Sequence, residues 1–356
     1  MQTRNKSFQL RIPQSTFFIK LFNWEFWPIY IVNIPVVFIW LWFAFRARDL
    51  FFFSAVNPAI ETGGVMGESK INILNRLPKQ FVPKTIFIKK GTDFASVSRE
   101  VQKAGLSYPL IAKPNVGERG LLVSKLKCET SLKQYVLVNR IDFLVQEFVD
   151  LPMELSVLHY HSPGEKKGEV TSLCIKESLK VTGDGHSNIR QLMEDLPRAK
   201  LQLPRFEKDF AQLLENIPGK EERVELEPIG NHSRGTLFLN GNQWIDQDFT
   251  SVFDAIATEM KGIHYGRFDL KCSSMEEMKR GEKIRIFEFN GIASEPAHIY
   301  DPDYPLLKKY ADIYRHWKII FAIYKKQKAR GVKSMTLKEA MLSLKDYFSY
   351  MKSLKG

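Results

Sequence analysis

The chain has 356 residues, enough for two or three compact units, and 44% of them are apolar, which excludes wholesale disorder. The formal net charge is +12, and residues 303–356 carry thirteen Lys and Arg against four Asp and Glu. Most of the excess therefore lies in the tail, where it fits an anionic membrane surface, a nucleic acid or a solvated helix face. Three cysteines, Cys128, Cys174 and Cys272, lack metal-ligand spacing and read as buried or free thiols of a reducing compartment, which excludes a disulfide framework.

Residues 1–25 form a basic, aromatic lead-in, and residues 26–54 are strongly apolar. Trp27–Phe45 runs for 19 residues without a charge. As a helix it measures about 28 Å, close to a hydrocarbon core of roughly 30 Å. Trp27, Tyr30, Trp40 and Trp42 suit a membrane–water boundary. Pro28 and Pro35 interrupt a straight helix, and a buried core helix is the plainer alternative. The region ahead is long and no small-x-small site follows, so no cleaved signal peptide is expected. A single span with a cytosolic site would put Arg4, Lys6, Arg11 and Lys20 outside, against the positive-inside rule. A hairpin bent at Pro35, or a helix lying in the interface, removes that conflict, so a monotopic protein on the cytoplasmic face is expected, with a single span as the alternative.

Asn57-Pro58 breaks the chain into a Gly-bearing loop, 61–68. Helices are then expected at 70–77, 94–104 and 129–139, and strands at 85–88, 108–113, 121–124 and 143–149. Strands 154–160 and 170–175 flank the turn 162–168 as a hairpin. Ser187 suits the cap of a helix over 188–194, and further helices are expected at 206–216 and 249–262. Strands follow at 267–270 and 285–290. The tail reads as helical, with Thr336 and Glu339 spaced as a capping box.

The strongest chemistry lies in Gly266-Arg-Phe-Asp-Leu270 and Phe287-Glu-Phe-Asn-Gly291. As adjacent antiparallel strands they put Arg267, Asp269, Glu288 and Asn290 on one surface and turn Phe287 and Phe289 into the core. Two carboxylates and an amide oxygen make a hard, oxygen-only site suited to Mg²⁺ shared with phosphates. The alternative is a solvated sheet face. Upstream, Lys113 ends a strand ahead of the loop Asn115–Gly120 and suits a phosphate, unless it is a surface lysine. Gln146-Glu147-Phe148-Val149 reads as a hinge for adenine, with Phe148 and Val149 as apolar walls and Glu154 placed for ribose hydroxyls. An ordinary strand with exposed acids is its alternative. Lys176 is a further phosphate candidate. The loop Asn231-His-Ser233-Arg234-Gly235 could hold a transferred phosphoryl group, or be a plain polar turn.

The order of these pieces is more specific than any one of them. Ile-Ala-Lys113-Pro, Gln-Glu147-Phe-Val, Glu154-Leu-Ser-Val, Arg267-Phe-Asp269 and Glu288-Phe-Asn290 together resemble the ATP-grasp superfamily, in particular carboxylate–amine ligases of the D-alanine–D-alanine ligase and cyanophycin synthetase kind. Val181-Thr-Gly-Asp-Gly185 and Asn231–Gly235 resemble the cyanophycin synthetase variant. The resemblance spans roughly residues 80–300. It implies an α+β, ATP-grasp fold, two lobes clasping ATP, to which the residues outside that span add an N-terminal apolar membrane-associated segment and a basic helical tail. The corresponding division is 1–56 lead-in and membrane segment, 57–150 reduced N-terminal region and small lobe, 151–302 large lobe, and 303–356 tail.

The resemblance also implies roles. Lys113 would contact ATP phosphates, Gln146, Glu147, Phe148 and Val149 would hold adenine, and Glu154 would hold ribose. Asp269, Glu288 and Asn290 would bind two Mg²⁺, or Mn²⁺ in their place. Arg267, with Lys176, Ser233 and Arg234, would steady the reacting phosphoryl group. The implied reaction joins a carboxylate to an amine through an acyl phosphate. The turn Gly291-Ile-Ala-Ser-Glu-Pro296 departs from the Pro-Gly turn of D-alanine ligases, and the usual N-terminal substrate domain is shortened. A membrane segment stands in its place, so the partners expected are small-molecule or lipid-linked carboxylate and amine substrates at a membrane surface, with 61–70 lining their pocket. Two rivals are an ATP-grasp kinase of a small polyol and a non-catalytic membrane scaffold. No stacking motif accompanies the basic charge, so no nucleic-acid partner is expected.

Overall fold

The computed structural model describes residues 15–117, 120–227 and 230–353. Arg4, Lys6 and Arg11 of the lead-in, and Glu118 and Arg119 of the loop after Lys113, lie outside the described residues. The chain forms two compact units, one of Pro35–Glu177 with Phe238–Gly356, the other of Ser178–Leu237 with the chain up to Ile34.

The larger unit contains two sheets. In the first, strands Ile284–Asn290, Tyr265–Cys272, Met153–His161 and Gly168–Glu177 are antiparallel neighbours, and Leu237–Asn240 closes the far edge. Side chains alternate as a sheet with one dry face requires. Leu155, Val157, Phe268 and Leu270 point into a core shared with Phe249 and Phe253 of the helix Gln247–Glu259. Asp246 caps that helix by accepting from the Phe249 amide at 2.9 Å. Glu154, Ser156, Arg267, Asp269 and Lys271 share the opposite face, because each is even-spaced from its neighbours and the strands run in register.

One irregularity decides what this face carries. Asp269 lies opposite Glu288, but Leu270 lies opposite Ile286, so Phe287 is an extra residue in a β-bulge. Ile284 and Ile286 enter the core before the bulge and Phe289 after it, while Phe287 does not join them. The expectation that both phenylalanines point inward holds for Phe289 and is corrected for Phe287. The bulge switches the strand's parity between 286 and 288.

The second sheet has the order Thr85–Ile88, Phe143–Glu147, Leu110–Pro114, Ser124–Leu126. Leu110, Ala112 and Val145 pack beneath Val97 and Val101 of the helix Phe94–Lys103 and Leu132 of the helix Glu129–Val138. The strand expected at 121–124 begins only at Ser124, because Leu122 adopts φ 56° in a turn. The helix Leu306–Ala329 buries Ile320, Phe321 and Tyr324 against Phe43, Phe52 and Val56.

The apolar N-terminal segment is one helix, Ile29–Ala47, that continues through Pro35. The hairpin expected at Pro35 is therefore not formed, since a helix can forgo one backbone bond without reversing. Among the described residues this is the one helix long and apolar enough to cross a membrane.

The smaller unit pairs Leu179–Thr182 with Arg223–Glu227, a strand pair that sequence patterning did not reveal, under buried Met193, Phe206 and Leu214. Its helix Ile189–Glu194 is capped by Asn188, not Ser187: the Gln191 amide donates to Asn188 Oδ1 at 3.0 Å and Gln191 Oε1 accepts from the Asn188 amide at 3.0 Å. The helix expected at 206–216 breaks at Phe210, where φ is −143°.

Asn57, fully buried, ties the start of the larger unit to its first sheet. Its amide donates to the carbonyls of Gly63 at 3.1 Å and Tyr265 at 2.8 Å, and its oxygen accepts from the amides of His264 at 2.8 Å and Tyr265 at 3.1 Å. Replacing it strands four backbone groups, three of them in buried bonds. Asn57→Ala is expected to lower unfolding free energy by about 2–4 kcal/mol, read as a shifted urea midpoint at unchanged slope.

Candidate functional site

Asp269 is 2% exposed, and a buried carboxylate must be compensated. Lys176 Nζ reaches Asp269 Oδ1 at 3.1 Å, Arg267 Nη2 reaches Oδ2 at 3.2 Å, and the Asn290 amide donates to Oδ2 at 2.8 Å. The Ser156 hydroxyl donates to Oδ1 from the neighbouring strand. Burial pulls this carboxyl upward, but Arg267, Lys176 and the Ser156 hydroxyl outweigh it and hold it well below the usual carboxylate range. Lys176 also pairs with Glu154 at 3.3 Å. Burial lowers the Lys176 ammonium, but Asp269 and Glu154 reverse the balance and keep it firmly charged.

Glu288, directly across from Asp269, is paired with Lys70 at 2.5 Å. Burial raises Glu288 and the Lys70 charge lowers it, with a net shift downward. Sequence reading gave Lys70 only a share in a substrate pocket, because 218 residues separate it from Glu288. The loop Glu61–Gly64 that leads to it lies on the turn after Asn290. The amides of Ile292 and Ala293 donate to the carbonyls of Gly63 at 3.2 Å and Gly64 at 2.9 Å. A Cβ on Gly64, at φ +86°, would meet Gly291 Cα at 2.6 Å, so glycine is required there.

Lys113 joins the second sheet to this face. Its ammonium donates to Gln146 Oε1 at 2.9 Å and to the carbonyl of Phe287, the bulge residue, at 2.8 Å. Neither partner is charged. Burial is the dominant influence and lowers its pKa to about 8, against the pull of Glu288. Gln146 in turn donates to Thr85 Oγ1 at 2.7 Å, which fixes its orientation.

Of the hinge residues, Glu147 and Phe148 line a cleft of about 390 Å³ bounded also by Lys84, Tyr108, Pro109 and Lys125. Glu147 accepts from the Lys84 amide at 3.2 Å. Lys125 Nζ stands 3.6 Å over the Phe148 ring and Lys271 Nζ lies 5.4 Å from it, so this aromatic is flanked by cations from both sheets. Val149 follows in the half-buried connection to Met153–His161. Lys125 and Lys271 were not singled out from sequence. Lys271 is two residues beyond Asp269 on one strand, so its shared face was readable.

Lys113, Gln146, Glu154, Lys176, Arg267, Asp269, Glu288 and Asn290 are thus brought together in one unit. Four cations, Lys70, Lys113, Lys176 and Arg267, face three carboxylates, Glu154, Asp269 and Glu288. Arg267 Nε is buried with no hydrogen-bond partner among the described residues, a donor suited to an anion. Two opposed carboxylates plus an amide oxygen match the donors magnesium takes when phosphate and water complete its shell. Among the described residues there is no cluster of three or more His, Cys, Asp and Glu suited to a metal held by protein alone. Ser233 and Arg234 belong to the smaller unit. There Ser233 Oγ donates to Asn231 Oδ1 at 2.9 Å and Arg234 lies 3.7 Å from Glu227.

No family model and no curated protein matches the chain. Among solved structures it is similar to VanG D-Ala:D-Ser ligase from Enterococcus faecalis, at 14% identity and TM-score 0.42, over 74% of this chain and 63% of that one. It is similar to D-alanine–D-alanine ligase from Bacillus anthracis, at 12% identity and TM-score 0.40, over 76% and 69%. A bifunctional glutathione synthetase from Pasteurella multocida follows, at 15% identity and TM-score 0.37, over 71% and 36%. All three are ATP-grasp enzymes. At TM-scores this low no activity is carried over from them to this chain.

Lys113 supplies a test of the site's cost to the fold. Its folded pKa of about 8 lies below the ordinary 10.5, so the penalty for the buried charge is complete below pH 8 and vanishes above pH 10.5. Lys113→Met removes that penalty and two hydrogen bonds. At pH 7 the variant is expected to be more stable by about 1 kcal/mol, with the advantage shrinking as pH rises from 8 toward 10.5 in denaturant titrations.

Proposed function

We propose that the chain is an ATP-dependent, ADP-forming carboxylate–amine ligase. The observation that carries this reading is the convergence of Asp269, Glu288 and Asn290 with Lys113, Lys176 and Arg267 on one polar sheet face. In this reading the segments 57–150 and 151–302 are the small and large lobes that clasp the nucleotide. Glu147, Phe148 and Val149 hold adenine beside Gln146, and Glu154 holds the ribose. Lys113 neutralises phosphate oxygens, and nucleotide binding restores to its ammonium the anionic partner it lacks. Asp269, Glu288 and Asn290 would hold magnesium, which supplies charge neutralisation between phosphate groups. Lys70 would then be released from Glu288 toward the substrate carboxylate.

The carboxylate oxygen attacks the γ-phosphorus, ADP leaves, and the amine then displaces phosphate from the acyl phosphate. Arg267 and Lys176 stand where negative charge grows in both steps, and the unpaired Arg267 Nε offers one more donor to it. Ser233 and Arg234 enter the proposal from sequence alone. We propose further that the reaction takes place at the cytoplasmic face of a membrane on a lipid-linked or surface-delivered substrate. Support comes from the helix Ile29–Ala47, which buries Phe43, Ala44 and Ala47 and exposes Val37, Phe38, Leu41, Trp42 and Phe45.

Phosphate release from ATP, followed with paired amino acids and amino-lipids, tests the reading. Release is expected only when a carboxylate and an amine are both present, and the product should be an amide. Asp269→Asn and Glu288→Gln should each reduce turnover about a hundredfold or more with unchanged circular dichroism. Turnover with a polyol alone, or retained in both variants, would refute it.

A further inference from the structure

The tail helix Leu337–Ser353 has two faces that the ligase reading does not use. Its N-terminus is fixed by the reciprocal bonds of Thr336 and Glu339, at 2.7 and 3.2 Å, and by the Met335 amide on Ser54 Oγ at 2.8 Å. Ala340, Ser343, Tyr347 and Tyr350 form a half-buried inner edge, and Tyr350 Oη donates to the Val116 carbonyl at 2.6 Å. The helix is therefore anchored along one side.

Next to that edge Leu337, Met341, Leu344 and Phe348 recur at helical spacing and are 63, 64, 41 and 62% exposed. Lys338, Lys345 and Lys352, all exposed and seven residues apart, form a row beside this stripe, on the side away from the anchored edge. Glu339 and Asp346 lie further round. An apolar stripe bordered by lysines is the pattern of a helix lying in a membrane interface, where the lysine stems cover apolar surface and the ammonium groups reach headgroups.

The charge decides among possible occupants. Residues 303–356 carry thirteen basic against four acidic residues. A second copy of the helix would bring one lysine row against another, a like-charge arrangement that disfavours pairing. An anionic bilayer complements the row and needs no matching groove. The same compact unit presents a second bare apolar face, Val37, Phe38, Leu41, Trp42 and Phe45, followed by exposed Arg46 and Arg48.

We infer that the Leu337–Ser353 helix is a lipid-docking element that lies along an anionic bilayer surface, its apolar stripe at the headgroup boundary and Lys338, Lys345 and Lys352 against anionic headgroups. This goes beyond the ligase reading and is tested without nucleotide. Full-length protein is sedimented with vesicles of phosphatidylcholine alone, or of phosphatidylcholine and phosphatidylglycerol in equal parts. Wild type is compared with Lys338→Gln/Lys345→Gln/Lys352→Gln and with Leu344→Asp/Phe348→Asp; these exposed positions leave the fold intact by circular dichroism. Wild type is expected to prefer the anionic vesicles. The triple variant should bind them about a hundredfold more weakly, several-fold per lysine, and the double variant should lose affinity for both compositions. Equal partitioning of all three proteins overturns the inference. So does a change from dimer to monomer in lipid-free double variant with vesicle binding unaltered, which assigns the stripe to a second copy.

Discussion

A carboxylate cut off from water has to be neutralised by its neighbours, and Asp269 imposes that condition on the whole polar face. Stripping water from an ion costs several kcal/mol, recovered only with close, well-directed partners. Asp269 draws them from four strands: Arg267 beside it, Asn290 and Ser156 on its two neighbours, and Lys176 one strand further. The arrangement works only if every one of these strands holds its register. The dry side of the same sheet supplies that, since a slip by one residue would exchange Phe268 and Leu270 for Asp269 in the core.

Much of this face was legible in the sequence because a strand has a period of two. Arg267 with Asp269, and Glu288 with Asn290, share faces by count alone, and the two strands pair where expected. The capping box at Thr336 was legible for a similar reason, being local. What escaped was either non-local or geometrically silent. Lys70 meets Glu288 through folding, not through any pattern near it. The bulge at Phe287 has no side-chain signature, since phenylalanine fits either face of a strand. The four-residue strand Leu179–Thr182 is too short for alternation to stand out. Pro35 signalled a turn, but a proline inside a long apolar run does not oblige the chain to reverse.

The site and the surface share a tension. Lys113 is held in a dry position with two neutral acceptors and no carboxylate in contact, which costs the fold. Likewise the exposed faces of Ile29–Ala47 and Leu337–Ser353 leave large apolar side chains in water, where a protein optimised for solubility alone would carry polar ones. In both places an arrangement is kept that stability alone would not select.

The bulge at Phe287 bears on how this strand can change over evolutionary time. Glu288 and Asn290 look toward the polar side because the residue ahead of them is surplus to the ladder. Keep Phe287 but absorb it into a regular ladder, across from Asp269, and the two acceptors rotate into hydrocarbon while Phe289 takes their place outside. Side chains along Ile284–Asn290 can drift within their polarity class, and Phe287 can be lost without turning Glu288, but with Phe287 present the ladder cannot become regular. The break in the ladder, more than composition, is the heritable constraint on this edge of the sheet.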